Sequence, residues 1–423
     1  MWNARKWVVS PGAFADCGYQ WGNLNDLGEG INAQLPISPG LAGCTVDNSL
    51  LLTPDNRINV VRGGVLRYIP DSLTFELSGF GWGDVAPVSS IGLPAGEPIM
   101  SLALTGIVLR PPGSQVPIYV LDGGLKRHIT SPGVIDGCGY PWQAIATVSS
   151  SIISSIPEGP ALQGGACPTL QFPFGTLLQG PDGAVWVTLG GGRKWVSSYD
   201  TFTGCGYQAA KVNPAAGTVL AGLGVGPALT SCTSTNSKVT TRDGNVFVVL
   251  AGWKRHVPSP ATFDALGITG DDLIPIPDGW LTTAKPLLDV AATGRLIRPP
   301  GEQVPIYVMD GGAKRHVVSP AAMAACGYGW DAVSILPAST VGAFSNGPVL
   351  NGTPCPQPTF SDGTLLLGSD GRVWASQAGQ RRWITDSTTF AACGYRGIDI
   401  DRIADSIIGA LPLGPNLTGK PCP

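Results

Sequence analysis

The chain has 423 residues, only 13% of them charged, and a formal net charge of −3. So even a balance offers nothing to a polyanion such as a nucleic acid. No run of about 18 apolar residues exists to make a transmembrane helix, and the 59 Gly and 38 Pro recur too regularly to mark disorder.

The regularity is a long repeat. Cys17, Cys205 and Cys393 are each followed by Gly-Tyr and lie 188 residues apart (205 − 17 and 393 − 205). Trp7, Trp195 and Trp383 keep the same offset, as do Arg110-Pro111-Pro112-Gly113 and Arg298-Pro299-Pro300-Gly301. A fixed period decides architecture before any other signal. The long unit divides again by three, which gives seven modules of about 60 residues at 1–46, 47–104, 105–168, 169–234, 235–291, 292–356 and 357–423.

Module one lacks its opening strand and turn, and begins directly on Arg5-Lys6-Trp7. With no signal peptide ahead of it, such a start reads as a piece of a longer chain or a processed form. Its first strand, Arg5 to Val9, is expected to have an open edge. An open edge is a template, so the chain's own C-terminal region or a neighbouring subunit is expected to fill it. Module two carries the basic-aromatic string Leu66-Arg67-Tyr68, and module three carries Lys126-Arg127-His128.

Module four shows the local pattern well. Thr176-Leu177-Leu178, a turn at Asp182-Gly183 and Val185-Trp186-Val187 predict a β-hairpin. Gly191-Gly192 and Arg193-Lys194-Trp195 predict a third strand. Ser197 or Ser198 then starts a short helix, where other modules have Ser10-Pro11, Ser131-Pro132, Ser259-Pro260 and Ser319-Pro320. Ser before Pro is an N-cap followed by the first helical residue. The helix should end at Cys-Gly, where Gly takes the left-handed position. A second short apolar segment, such as Val148 to Ile156, precedes a Pro-Gly-Pro tail. Modules five, six and seven repeat the scheme with Lys254-Arg255-His256, Lys314-Arg315-His316 and Arg381-Arg382-Trp383.

The ten cysteines fall two per module in five modules: Cys17 with Cys44, Cys138 with Cys167, Cys205 with Cys232, Cys326 with Cys355, and Cys393 with Cys422. Modules two and five lack both members, with Ser78 in one and Leu266-Gly267-Ile268 in the other. Loss in pairs is what bonded pairs predict. Ten free thiols and zinc sites are the alternatives, but no C-x-x-C occurs and the chain has three His. Five intramodule disulfides imply a secreted or surface location.

Chemistry is sparse. His128, His256 and His316 share a slot with Trp7, Trp195, Trp383 and Tyr68, which suits a packed ring better than a catalyst. No nucleophile elbow or metal-spaced His pair appears. Asp399, Asp401, Asp405, Asp271 and Asp272 fall where helix caps belong, with calcium as the alternative. The repeated basic pair is either an anion ladder or a strand end paired to Asp122 and Asp310. Among the aromatics, Trp21, Trp82, Trp142 and Trp330 share the slot after Gly-Tyr and are expected in the core. Trp186 and Trp374, on the second strand, are the candidates for stacking on a sugar ring. No catalytic residue, metal ligand or cofactor is assigned.

Two stackings compete. One is an open tandem array, mostly β with short helices, in which each module touches only its neighbours. The other is a seven-bladed β-propeller. The period of three modules has two readings: duplication of a three-module block, or one superhelical turn per three modules.

The strings Lys126-Arg127-His128-Ile129 and Arg381-Arg382-Trp383-Ile384, with motifs such as Thr389-Phe390, Gly139-Tyr140-Pro141-Trp142 and Leu411-Pro412-Leu413-Gly414-Pro415 after them, resemble tandem repeats of large secreted and cell-surface proteins of bacteria. The likeness covers nearly the whole chain. It implies an extracellular setting and transfers no functional residue; the cysteine pairs depart from the commoner form. The sequence thus points to a non-enzymatic extracellular repeat protein, a component of a surface filament, layer or stalk that associates with itself or with neighbouring modules. The alternative is a repeat protein that binds cell-wall glycan through exposed aromatics.

Overall fold

The computed structural model describes residues 5–24, 37–41, 43–419 and 422. Module seven shows the plan. Leu365–Leu367 pairs antiparallel with Val373–Gln377, which pairs antiparallel with Gln380–Trp383. The first turn closes at Gly371, whose φ of 79° suits glycine. Asp386 caps the helix Ser387–Ala392 by accepting from the Thr389 N–H, and Gly394 ends it at a φ of 67°. A 3-10 turn, Gly397–Asp399, leads into the strand Ile400–Arg402. A second helix, Asp405–Ala410, precedes a tail that bridges back to the third strand at Arg381↔Leu413 and Ile384↔Leu417.

The meander and both helices match the sequence expectation; the fourth strand is new. Ile400–Arg402 pairs parallel with Leu365–Leu367, on the side away from the hairpin. Parallel neighbours need a crossover, and the capped helix supplies it. Modules two, three, four and six have the same parallel strand at the same edge. A propeller blade belongs to an antiparallel architecture. These sheets are not blades, and among the described residues they form no closed barrel or propeller. The chain is mostly β, a tandem array of small disulfide-closed modules.

Cys17–Cys44, Cys138–Cys167, Cys326–Cys355 and Cys393–Cys422 are bonded, with Cα atoms 4.9–5.5 Å apart and 27 or 29 residues between partners. Cys205 and Cys232 are bonded too, and no described cysteine is free. Each bond ties the end of the first helix to the tail.

Modules two and five, which lack the bond, hold the tail from the start of that helix, a contact that module seven keeps beside its disulfide, where Thr389 Oγ1 accepts from the Gly419 N–H at 2.9 Å. Thr262 Oγ1 accepts from the Val290 N–H at 3.1 Å, and both Ser259 and Thr262 donate to Asp289. In module two, Thr74 Oγ1 accepts from the Leu102 N–H at 2.9 Å, and Ser101 donates to the N-cap residue Asp71. Thr262→Val keeps the shape and strands the Val290 donor. It should cost about 1–3 kcal/mol, read from denaturant unfolding, with faster amide exchange at Val290.

The chain forms two compact units: Met1–Thr230 with Pro275–Pro277, and Ser231–Ile274 with Asp278–Pro423. In the first, modules two, three and four share one core. Leu73, Leu77 and Leu102 meet Leu109, Leu121 and Ile153, and both groups meet Leu178, Val219 and Leu220. In the second, modules five, six and seven pack pairwise. Ala261 of module five meets Ile297, Met309 and Val341 of module six. Ile407 of module seven enters the core of module six, and Leu288 of module five packs beside Leu366 and Ile408 of module seven. The expectation that a module touches only its sequence neighbours fails here, because two meets four and five meets seven. Each set of three consecutive modules thus buries apolar faces of its own members against one another.

In module one, Arg5–Val8 pairs parallel with Ile37–Leu41. Among the described residues its opposite edge pairs with no strand, so the expected filling by the chain's C-terminal region is not found.

Candidate functional site

The repeated basic-aromatic string lies on the third strand, and its three positions have three distinct partners. The first basic residue turns back over the ring on the second strand. Arg193 lies 4.1 Å from the Trp186 centroid, Lys254 5.0 Å from Phe247 and Arg381 5.1 Å from Trp374. Lys126 and Lys314 also reach the ends of the second helices, where Nζ donates to Ile153 O and Val341 O at 2.8 and 2.7 Å. Carbonyls in the last turn of a helix carry partial negative charge, so an ammonium suits them. Both lysines are buried.

The second basic residue binds the tail. Arg67, Arg127, Arg255, Arg315 and Arg382 each donate from Nε to a tail carbonyl at 2.8–2.9 Å. Arg127 and Arg315 also pair with Asp122 and Asp310 at 2.9 Å, the pairing anticipated as the alternative to an anion ladder. The third position packs its ring across the sheet: His128, His256 and His316 lie 5.4–5.8 Å from Tyr119, Phe247 and Tyr307. These basic side chains are engaged inside the fold.

The second Arg of modules two and five does more, because it joins the first and third members of each three-module set. Arg67 Nη1 donates to Val212 O at 2.8 Å, and Nη2 donates to Asn213 Oδ1 at 2.9 Å. Arg255, 188 positions later (255 − 67), donates to Asp401, which lies 188 after Asn213 (401 − 213), at 2.7 Å. Arg255 is 2% exposed. Burial pushes the Asp401 carboxyl above its ordinary value against the opposing pull of Arg255. The same two joints carry Glu97 with Lys211, and at the equivalent positions Lys285 with Asp399, whose carboxylate accepts from the Lys285 backbone N–H at 2.9 Å. Glu76 of module two accepts from the Ser149 N–H of module three at 2.7 Å, and Thr340 of module six donates to Asp264 of module five.

The tyrosine that recurs after Cys-Gly is a further fastener. Tyr140 and Tyr328 donate to Pro168 O and Pro356 O of their own tails at 2.7 and 2.6 Å. Burial pushes both hydroxyls up to about 12. Tyr19 and Tyr207 instead reach Pro87 O and Pro275 O of the following module.

The aromatic assignments exchange places. Trp186 and Trp374 are half-buried, pack against the three-module cores and lie under Arg193 and Arg381. The slot expected in the core is the exposed one: Trp21 is 63% exposed, Trp142 50%, Trp330 65% and Trp82 38%. Each of these four opens a 3-10 turn. Trp21 and Trp82 stack on Phe14 and Phe75 at 4.3 and 4.1 Å. Trp142 donates its indole N–H to Asp136 at 3.0 Å. The physical cause is that the helix side chain (Phe14, Phe75, Ile135 or Met323) and the ring after it (Tyr19, Phe80, Tyr140 or Tyr328) already pack beside that slot, which leaves the Trp outside.

Asp399, Asp401 and Asp405 do not converge. Asp399 pairs with Arg396, Asp401 with Arg255, and Asp405 accepts from the Ser369 N–H. Among the described residues no three His, Cys, Asp or Glu side chains gather where a metal ion could sit, and no helix is long and apolar enough to cross a membrane.

No family model matches the chain, and no curated protein matches it. Solved structures that match include the periplasmic assembly from the ESX-5 inner membrane complex, 14% identical over 74% of this chain and 92% of that chain, with a TM-score of 0.13. They also include an intact ESX-5 inner membrane complex, 15% identical over 74% of this chain and 80% of that one, with a TM-score of 0.13. A third is the EccB3 dimer from the ESX-3 core complex, 14% identical over 74% and 98%, with a TM-score of 0.14. Scores so low carry no argument about fold or role.

Proposed function

We propose that the chain is a non-enzymatic structural repeat protein that works outside the cytosol, as a stalk or layer component whose modules hold one another in fixed sets. The disulfides support the location, because such bonds persist in oxidising compartments. One observation carries the structural role. The side chains that recur in module after module, the basic pair, the ring and the Gly-Tyr tyrosine, are bound to helix ends, tails and neighbouring modules. A repeated surface that served a ligand would leave its recurring groups free.

A second reading, glycan binding, rests on Trp21, Trp82, Trp142 and Trp330, which present indole faces at the surface. A flat indole suits the apolar face of a sugar, and repetition would give avidity. Retention of the full chain on insoluble peptidoglycan and on a glycan array separates the two. The structural reading expects retention no greater than that of an unrelated disulfide-bonded protein. Specific retention that Trp142→Ala with Trp330→Ala abolishes would replace it with the glycan reading.

A further inference from the structure

The five disulfides are of two kinds. Those of modules one and four join cysteines 27 residues apart (44 − 17 and 232 − 205), and all four cysteines are 0–1% exposed. Those of modules three, six and seven span 29 residues. There Cys138, Cys167, Cys355, Cys393 and Cys422 are half-buried, and Cys326 is 8% exposed.

The difference comes from the module that follows. Module two closes over Cys17–Cys44. Ser89 Oγ donates to Gly18 O at 2.6 Å, a Cβ on Gly18 would collide with the Ser90 carbonyl, and Leu51, Val61 and Ala86 share one cluster with both cysteines. Module five fastens to module four in the same way: Tyr207 donates to Pro275 O, and Pro275–Pro277 belongs to the compact unit that holds module four. In modules three, six and seven this corner is open, since a Cβ on Gly139, Gly327 or Gly394 would meet nothing within 4 Å. The tails there are open too. Gly164, Gly165 and Gly352 take φ of 114°, 88° and 139°, and a Cβ on any of them would also meet nothing.

Thiol–disulfide exchange needs a thiolate to reach a sulfur, so access governs its rate between otherwise similar bonds. A covered bond must wait for its surroundings to open. We propose that a dithiol reductant opens the disulfides of modules three, six and seven in the folded chain and leaves those of modules one and four closed. One thiolate of the reductant attacks a cysteine sulfur, the S–S bond breaks, and the partner cysteine leaves as a thiolate. The second thiol of the reductant displaces the first cysteine and closes its own ring. Two electrons and two protons pass to the cysteines, and the dithiol becomes a cyclic disulfide.

Modules three and six are the middle members of the two sets, and Cys326 shares a cluster with Ile407 of module seven. Reduction therefore loosens each set from within, while modules one and four stay bonded beneath the modules that follow them. The device is the same whether the chain is a scaffold or a glycan binder.

The test treats the folded full chain with dithiothreitol, quenches samples with iodoacetamide at intervals and follows each cysteine by peptide mass spectrometry. Cys138, Cys167, Cys326, Cys355, Cys393 and Cys422 should be labelled at least about tenfold faster than Cys17, Cys44, Cys205 and Cys232. In denaturant all five bonds should open at one common rate. In the selectively reduced chain the amides of Leu121 and Met309 should exchange faster, and those of Cys17 and Cys205, bonded to Ala13 O and Thr201 O, should keep their protection. Equal labelling rates in the folded chain, an order that survives denaturant, or unchanged exchange at Leu121 and Met309 overturns the proposal.

Discussion

Arg255→Ala should destabilise the unit that holds modules five, six and seven by about 3–5 kcal/mol, the usual consequence of leaving one partner of a buried ion pair alone. Arg255 is 2% exposed and donates to Lys285 O, Pro286 O and Asp401. Its removal strands two carbonyls and a carboxylate at the joint between modules five and seven. Arg255→Lys should recover little, because an ammonium cannot serve three divergent acceptors as the guanidinium fork does. Asp401→Asn should cost less than Asp401→Ala, because Asn213 shows that an amide oxygen serves the same guanidinium in the other set. Denaturant unfolding of the full chain gives the magnitudes. Equal losses for Asp401→Asn and Asp401→Ala would contradict the assignment.

Replacing Cys326 and Cys355 together by Ala should cost about 3–4 kcal/mol, the chain-entropy value for a loop of this length. The bond closes a 29-residue separation in a module too small for a secure core of its own. The loss should not stay in module six. Cys326 packs in one cluster with Tyr328, Leu350 and Ile407, the last from module seven. All three modules of the set should therefore loosen together. Hydrogen exchange of the double variant distinguishes this from a loss confined to residues 292–356.

The parts that were legible in the sequence are those fixed by local chemistry. Asp-Gly turns, Ser-Pro helix starts and Cys-Gly helix ends each demand a particular backbone, so the meander, the first helix and the bonded pairs could be read directly. The parallel fourth strand was missed because it is two or three residues long. Val85–Pro87 and Ala146–Thr147 are too short to show an alternating pattern, and their pairing depends on a crossover.

The grouping by three was only half legible. The period was visible; which faces meet within a set was not. One signal could have revealed it: Asn213 becomes Asp401, Glu97 becomes Lys285 and Lys211 becomes Asp399 across one period. Two partners that exchange charge together touch each other, and these partners sit two modules apart. The exposure of the Trp slots was not legible, because ring size alone does not tell which ring of a module lies inside. Phe75 and Phe14 hold the core side, and Trp82 and Trp21 stack outside them.

Each set of three modules is expected to behave as one cooperative body. Native-state hydrogen exchange of the full chain across a denaturant series tests it most directly, since it reports the opening free energy of each segment. Core amides of modules five, six and seven, such as those of Val249, Met309 and Ala375, should merge onto a single opening isotherm. Those of modules two, three and four, such as Val61, Leu121 and Thr188, should do the same among themselves. A separate isotherm for each module, with stability stepping from one to the next along the chain, would contradict it and return the protein to a simple nearest-neighbour array.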